Sequence, residues 1–179
     1  MMRIKARMGV SVDGYVSGRD GIPALARSGA FVPGRSHGYP EFIQGCDAVA
    51  MGRHTFLPAL EAPSWPWGSM EVFVLTSRPL PDSTPEGVVA STDGVEALVR
   101  RLRSRPSGGD VHLVGGPKTI QAVCQAGALS SLDVVVLPLL LGDGVPLWSA
   151  AAPPPALELV GRPRPFEDGS VELSYSVEN

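Results

Sequence analysis

The sequence predicts an α/β domain with a mostly parallel central sheet and an antiparallel C-terminal edge hairpin. Three observations predict it. Short apolar runs alternate with helical patterns between residues 47 and 127, as in successive strand-helix-strand units. Asp133 to Leu141 is almost wholly apolar, as expected of a strand covered on both faces. Val171, Leu173, Tyr175 and Val177 then alternate with Glu172, Ser174, Ser176 and Glu178, a strand with one wet face that Leu157 to Val160 can pair in antiparallel.

The elements follow in order. Arg3 to Val12 alternates loosely and ends at Asp13-Gly14, a strand closed by a turn. Gly18 to Pro40 carries glycine, proline and serine without a period, so it reads as a long loop holding one short helical turn at most. Phe42 to Gly45 ends a helix, and Asp47 to Met51 is a buried strand that stops at Gly52. Thr55 to Leu60 starts a helix that Pro58, or the prolines at 63 and 66, should cut. Glu71 to Leu75 and Val88 to Ala90 are strands. Asp93 with Glu96 resembles a capping box before Val95, Leu98, Val99 and Leu102, which fall on one helix face. Val111 to Val114 is a strand meeting Gly115-Gly116-Pro117, where proline suits the first position of a helix that Gly127 closes.

Composition narrows the class. At 179 residues, 44% hydrophobic and 18% charged, the chain fits a single domain over residues 1–179. Its 21 glycines and 18 prolines fall short of a low-complexity composition, so they need local reasons. A net charge of -3 supplies no basic field for nucleic acid. Charges at Arg3, Lys5 and Arg7 interrupt any secretory signal, and no apolar run approaches the roughly 18 residues of a membrane span. The expectation is a soluble, cytoplasmic protein with a small-molecule partner. Cys46 and Cys124 read as small hydrophobes rather than a disulfide.

Right-handed crossovers place the strand-to-helix turns together at the carboxyl end of the sheet, where α/β folds bind ligands. Met51-Gly52-Arg53-His54-Thr55-Phe56 offers a helix N-terminus, a hydroxyl and a guanidinium to a phosphate, though a capped helix with exposed Arg and His reads equally well. Val114-Gly115-Gly116-Pro117-Lys118-Thr119 lets backbone approach a bulky anion, against the alternative of a tight turn of small residues; it is neither a Walker loop nor a Rossmann fingerprint. Thr76-Ser77-Arg78 suits a ribose phosphate or an ordinary polar loop. Together the three suggest a ligand with a pyrophosphate and a further phosphate, for which NADPH is the common candidate. His37, His54 and His112 make no metal motif, and His112 reads as a structural strand residue. Trp65-Pro66-Trp67-Gly68 reads as an aromatic loop over the core, with a planar substrate as the alternative.

These motifs, with Val10-Ser11-Val12-Asp13-Gly14-Tyr15-Val16 before them and Pro138 to Trp148 after, resemble in order the dihydrofolate reductase-like superfamily, and within it the RibD C-terminal (riboflavin-biosynthesis reductase) type. The resemblance implies a three-layer fold, NADPH as hydride donor and a homodimer. By position it implies that Gly52, Arg53, His54 and Thr55 meet the 2′-phosphate and pyrophosphate, and Thr76, Ser77 and Arg78 the adenosine end. Gly115, Gly116, Pro117, Lys118 and Thr119 would hold the pyrophosphate, Gly9 and Val16 the nicotinamide carboxamide, and the loop after Val16 would be a lid. Two positions depart from the pattern. Ser36 falls where dihydrofolate reductases carry their pteridine-binding acid, with Glu41 the nearest carboxylate, and Val114 stands where the riboflavin branch commonly has glutamate.

The expected activity is an NADPH-dependent reduction of a C=N or C=O bond in a small planar or sugar-linked substrate, such as a ribosylaminopyrimidine. Asp13, Tyr15 and Glu41, or an ordered water, are the candidate proton donors. The rival expectations are an NADPH-binding module without turnover, a nucleotide or sugar-phosphate transferase, and dihydrofolate reduction.

Overall fold

The structure, a computed structural model, describes residues 2–150 and 153–178; Met1, at the head of the charged N-terminus, lies outside them. The strands are β1 (Ile4–Ser11), β2 (Tyr15–Ser17), β3 (Cys46–Gly52), β4 (Glu71–Leu75), β5 (Val88–Ser91), β6 (Asp110–Gly115), β7 (Ser131–Leu137), β8 (Val145–Pro146), β9 (Ala156–Leu159), β10 (Arg164–Pro165) and β11 (Val171–Glu178). The α-helices are α1 (Tyr39–Ile43), α2 (Arg53–Leu60), α3 (Gly94–Arg103) and α4 (Pro117–Gln125), and Leu25–Arg27 makes one 3-10 turn.

The main sheet runs β10-β11-β7-β1-β6-β3-β4-β5, with β9 also paired to β11. From β7 to β5 every pairing is parallel. β11 is antiparallel to β7, β9 and β10. A small antiparallel pair, β2 with β8, stands apart. This is the expected α/β fold with its mostly parallel sheet and antiparallel C-terminal edge.

Alternation along each strand sorts the side chains into two layers. Ile4, Ala6 and Val10 of β1, Ala48 and Ala50 of β3, Phe73 of β4 and Val111 and Leu113 of β6 share a core with Leu98, Val99 and Leu102 of α3 and Ile120, Val123 and Cys124 of α4. On the other face Val49, Met51, Val72 and Val74 enclose Phe56 of α2, and Trp65, Trp67 and Val114 pack against them. The sheet is therefore the middle of three layers. β1 and β6 turn their remaining residues, Lys5, Arg7 and Gly9 with His112 and Val114, away from the α3/α4 core.

Several boundaries differ from expectation. α2 begins at Arg53 and passes through Pro58 to Leu60; in so short a helix the proline forgoes a single backbone bond, and burial of Phe56 holds the segment. The Asp93 capping box does not form. Asp93 has φ -96 and ψ 25 and makes no side-chain cap bond, because a cap carboxylate reaches back only from extended backbone. β7 stops at Leu137, four residues before the apolar run does. Pro138 has no N-H for the ladder, and Leu139 N instead turns back to Leu137 O at 2.7 Å. Cys46 and Cys124 are both free thiols.

Candidate active site

A cavity of about 650 Å³ opens on the face opposite α3 and α4. Its floor is β1 and β6, through Arg7, Gly9, His112 and Val114. Ser36 and Tyr39 line one side, and the Trp65 and Trp67 rings the other. The 3-10 turn of the long loop closes over the floor: a Cβ built on Gly9 would stand 2.6 Å from Leu25 Cβ. Gly9 is therefore glycine because the loop lies directly on it. The loop itself is pinned at one end by a bridge between Ser17 and Pro23 and by the Arg27–Asp20 ion pair at 2.6 Å.

The floor carries two buried polar groups in an otherwise apolar setting. Arg7 is 7% exposed; its guanidinium bonds Glu172 and the His37 carbonyl, with Asp133 at 3.9 Å. His112 is 4% exposed, ringed by Tyr39, Phe42 and Trp67. Burial, with Arg7 and Lys5 adding to it, pushes its pKa down to about 3, so the imidazole is neutral. Burial likewise pushes the Tyr39 phenol up.

Beside the cavity the two glycine turns converge. Met51 pairs with Gly115 and Gly52 with Leu75, which brings the ends of β3, β4 and β6 level. A Cβ on Gly52 would meet Thr119 Oγ1 at 2.5 Å, and one on Gly116 would stand 3.6 Å from Thr55 Oγ1. α2 and α4 both start on a glycine N-cap, with no side-chain cap and no acid in the first turn. Pro117 brings no N-H to α4 and Thr119 N bonds Gly116 O at 2.9 Å, so Lys118 N of α4 and the leading N-H groups of α2 are what an outside acceptor would meet, with Arg53, His54 and Lys118 beside them. Arg53 Nη1 donates to Pro79 O at 2.7 Å, tying the start of α2 to the loop after β4. In that loop Thr76 is buried and bonds the Arg78 backbone, while Ser77 and Arg78 are exposed.

The structure thus gathers Gly52, Arg53, Thr55, Gly115, Gly116, Pro117, Lys118 and Thr119 at one edge, with Thr76, Ser77 and Arg78 next to them. Gly9 lies in the cavity floor. Val16 is buried, and its carbonyl is taken by Ala24 N at 2.7 Å. The three expected proton donors do not line the cavity. Asp13 is exposed and accepts from Leu141 N at 3.1 Å and Gly142 N at 2.7 Å. Tyr15 sits opposite Pro146 in the small sheet. Glu41 is exposed, 3.4 Å from Arg164. In their place the cavity offers the inner Arg7, Ser36, Tyr39 and His112, with the exposed Ser64 at its mouth. The sequence did carry a signal for Arg7: a cation at an inward position of an apolar strand.

A mostly parallel sheet with a cavity at its centre, and with two glycine-entered helix starts at the cavity's edge, is a dihydrofolate reductase-like fold. The profile of the RibD C-terminal domain family matches residues 3–162, and the chain belongs to that family. Among curated proteins it is 28% identical to the uncharacterised protein YwjB of Bacillus subtilis (strain 168) over 154 residues, 85% of this chain and 86% of that one. Among solved structures it is similar to a protein of Shewanella sp. PV-4 named for riboflavin biosynthesis, with a TM-score of 0.83 at 21% identity, covering 99% of this chain and 100% of that one. It is also similar to dihydrofolate reductase of Enterococcus faecalis complexed with NADP(H), with a TM-score of 0.65 at 16% identity, covering 99% and 97%.

Proposed function

We propose that this chain is an NADPH-dependent reductase acting on a C=N or C=O bond of a small planar or sugar-linked molecule. The observation that carries the reading is the pair of uncapped, acid-free helix starts meeting through Gly52 and Gly116 beside the cavity. That arrangement fits a pyrophosphate: backbone N-H groups and the Thr55 and Thr119 hydroxyls to bind it, and Arg53 and Lys118 to balance its charge. Arg53 with the Thr76 to Arg78 loop would hold the 2′-phosphate and adenosine end. When bound, the cofactor supplies the hydride.

The chain's own residues do the rest. Gly9 lets the Leu25 turn seat against β1, Leu25 and its loop exclude water beside the nicotinamide, and Trp65 and Trp67 wall a planar substrate. Ser36 in place of the pteridine-binding acid, with the Arg7 cation below it, favours a substrate that presents acceptors to the floor, such as the carbonyl edge of a ribosylaminopyrimidine, over dihydrofolate.

The test is titration with NADPH and NADH, followed by NADPH oxidation against 5-amino-6-(5-phosphoribosylamino)uracil, dihydrofolate and a set of simple cyclic imines and ketones. NADPH should bind about 10- to 100-fold tighter than NADH, the scale of a charge-assisted hydrogen bond. Equal affinities overturn the cofactor assignment. Tight NADPH binding with no oxidation of any substrate favours a binding module instead.

A further inference from the structure

Reduction of a C=N or C=O bond needs a proton as well as a hydride, and the polar groups in the cavity differ in whether they can provide one. Arg7 does not release its proton. His112 is held neutral by its burial. The Tyr39 hydroxyl lies 3.5 Å from Nδ1 of that same neutral His112, its hydrogen-bond contact among the described residues. Ser36 is different. Its Oγ accepts from Val32 N at 2.8 Å and lies 2.8 Å from His37 Nδ1, with Val32 O, at 3.1 Å, the weaker rival for its proton; His37 Nε2 lies 2.9 Å from Asp168 Oδ2.

The protons in this chain can be assigned from its donors. Asp168 accepts Ser170 Oγ at 2.6 Å and Ser170 N at 3.1 Å on one oxygen, and Ser28 Oγ at 2.5 Å on the other, beside His37. Burial works against its charge, but the bonds from Ser170, Ser28 and His37 outweigh it and hold the carboxyl far below the usual carboxylate range. An ionised carboxylate only accepts, so His37 Nε2 carries a hydrogen and Nδ1 is the atom that exchanges one with Ser36. The ring cannot swing away. It is 6% exposed, set edge-on to Phe166 at 5.3 Å, and its residue is held at φ 55 with the carbonyl bonded by Arg7.

We propose that Ser36, His37 and Asp168 form a proton relay into the cavity. Ser36, which lines the cavity, is the catalytic residue; His37 and Asp168 are positioning residues behind it. The inference rests on the reductase reading. As hydride bonds to the substrate carbon, the π pair moves to the heteroatom, which takes the Ser36 hydroxyl proton. The Ser36 oxygen takes the Nδ1 proton of the imidazolium, leaving a neutral ring with Nε2-H on Asp168, and solvent returns the proton between turnovers. The charged groups around the ring are Asp168, bonded to Nε2, and Arg7 of β1, bonded to the His37 carbonyl. Arg7 is paired with Glu172 of β11, and Arg164 of β10 stands 3.9 Å from Glu172 and over the Phe166 ring.

Two measurements test the relay. The first needs no ligand: long-range 1H-15N spectra of histidine-labelled protein, with His37 identified by His37→Gln. The neutral ring should be the Nε2-H tautomer, with the bare Nδ1 toward Ser36. Ser36→Ala should move the Nδ1 signal and leave His54 unchanged. An Nδ1-H tautomer, or an Nδ1 signal that Ser36→Ala leaves in place, overturns the proposal. The second follows kcat against pH for a substrate of the panel above that wild type reduces. Wild type should lose activity on the alkaline side. Ser36→Ala should lose that pH dependence and about 10- to 100-fold in kcat, with NADPH affinity unchanged, and Ser36→Thr should restore both. A Ser36→Ala variant with the wild-type profile, or a Tyr39→Phe variant that removes the alkaline limb instead, overturns it. Should the spectra agree and no substrate be reduced, the reductase reading has failed and the relay's role goes with it. Turnover without the expected spectra removes the relay alone.

Discussion

Thr119 Oγ1 occupies the place where a side chain on Gly52 would begin, 2.5 Å from a Cβ built there. Gly52 has φ -80 and ψ 160, open to any residue, so its need for glycine is steric alone. Gly52→Ala should cost ~1–3 kcal/mol of stability by overpacking. Adding Thr119→Ala removes the atom in the way, so the double variant should be more stable than the two single losses sum to. Urea unfolding of the four proteins checks this; strict additivity would show that the two turns do not touch.

Arg53 is already stretched across the site by its bond to Pro79 O. Arg53→Ala should weaken NADPH binding by on the order of 1.5–3 kcal/mol and NADH binding by less, since NADH shares only the pyrophosphate. Titration calorimetry with both dinucleotides reads it. A variant that keeps its preference for NADPH places the 2′-phosphate elsewhere.

Asp13 acts as a clamp on the chain after β7. The Ser11 hydroxyl first, then the Gly142 and Leu141 N-H groups, lower its pKa, so the carboxylate is ionised near neutrality and is no proton donor. Because the folded value is depressed, whatever the clamp adds to stability is present above the ordinary carboxylate range and is lost as pH falls through the folded value. Asp13→Asn should speed hydrogen exchange at Leu141 and Gly142 while the kcat-pH profile keeps its shape. A lost limb in that profile would return Asp13 to the chemistry.

His112 makes the fold sensitive to acid. Its pKa drops from 6.5 to about 3 on folding, so the unfolded chain binds the extra proton between those values. Stability from this residue is complete above 6.5 and falls as pH drops toward 3, by on the order of 4 kcal/mol over the window. His112→Met should flatten the dependence of the urea midpoint on pH across that range. An unchanged slope would mean the ring gains its proton in the folded state.

Much of this architecture is legible locally. Strand alternation, the helix face of Val95 to Leu102 and the glycine turns each declare themselves within a dozen residues, which is why the sheet and its three turns can be laid out in advance. The remainder depends on register. Nothing near Ser36 or His37 announces Asp168, which lies 131 positions from His37. Lys5 and Arg7 are cations in a strand whose buried partners, Asp110 and Glu172, come from β6 and β11. Asp13 and Glu41 were drawn to the chemistry by residue type, whereas their exposure on the rim decides otherwise. The capping box at Asp93 failed for a backbone reason, since Gly94 enters the helix at φ +87 and leaves Asp93 turned out of the extended conformation.

The central place of β1 has a consequence for biosynthesis. Arg3 waits 107 residues for Asp110, and Arg7 waits 165 for Glu172. During translation the first strand emerges long before either neighbour, with both edges open to any passing chain. Lys5 and Arg7 then stand unpaired in the middle of it, and two like charges make a poor template for stacking against a second nascent copy. Charges that the finished protein neutralises would thus guard the ribosome-bound one, and a Lys5→Met, Arg7→Met chain should aggregate during cell-free synthesis before its folding can be compared with wild type.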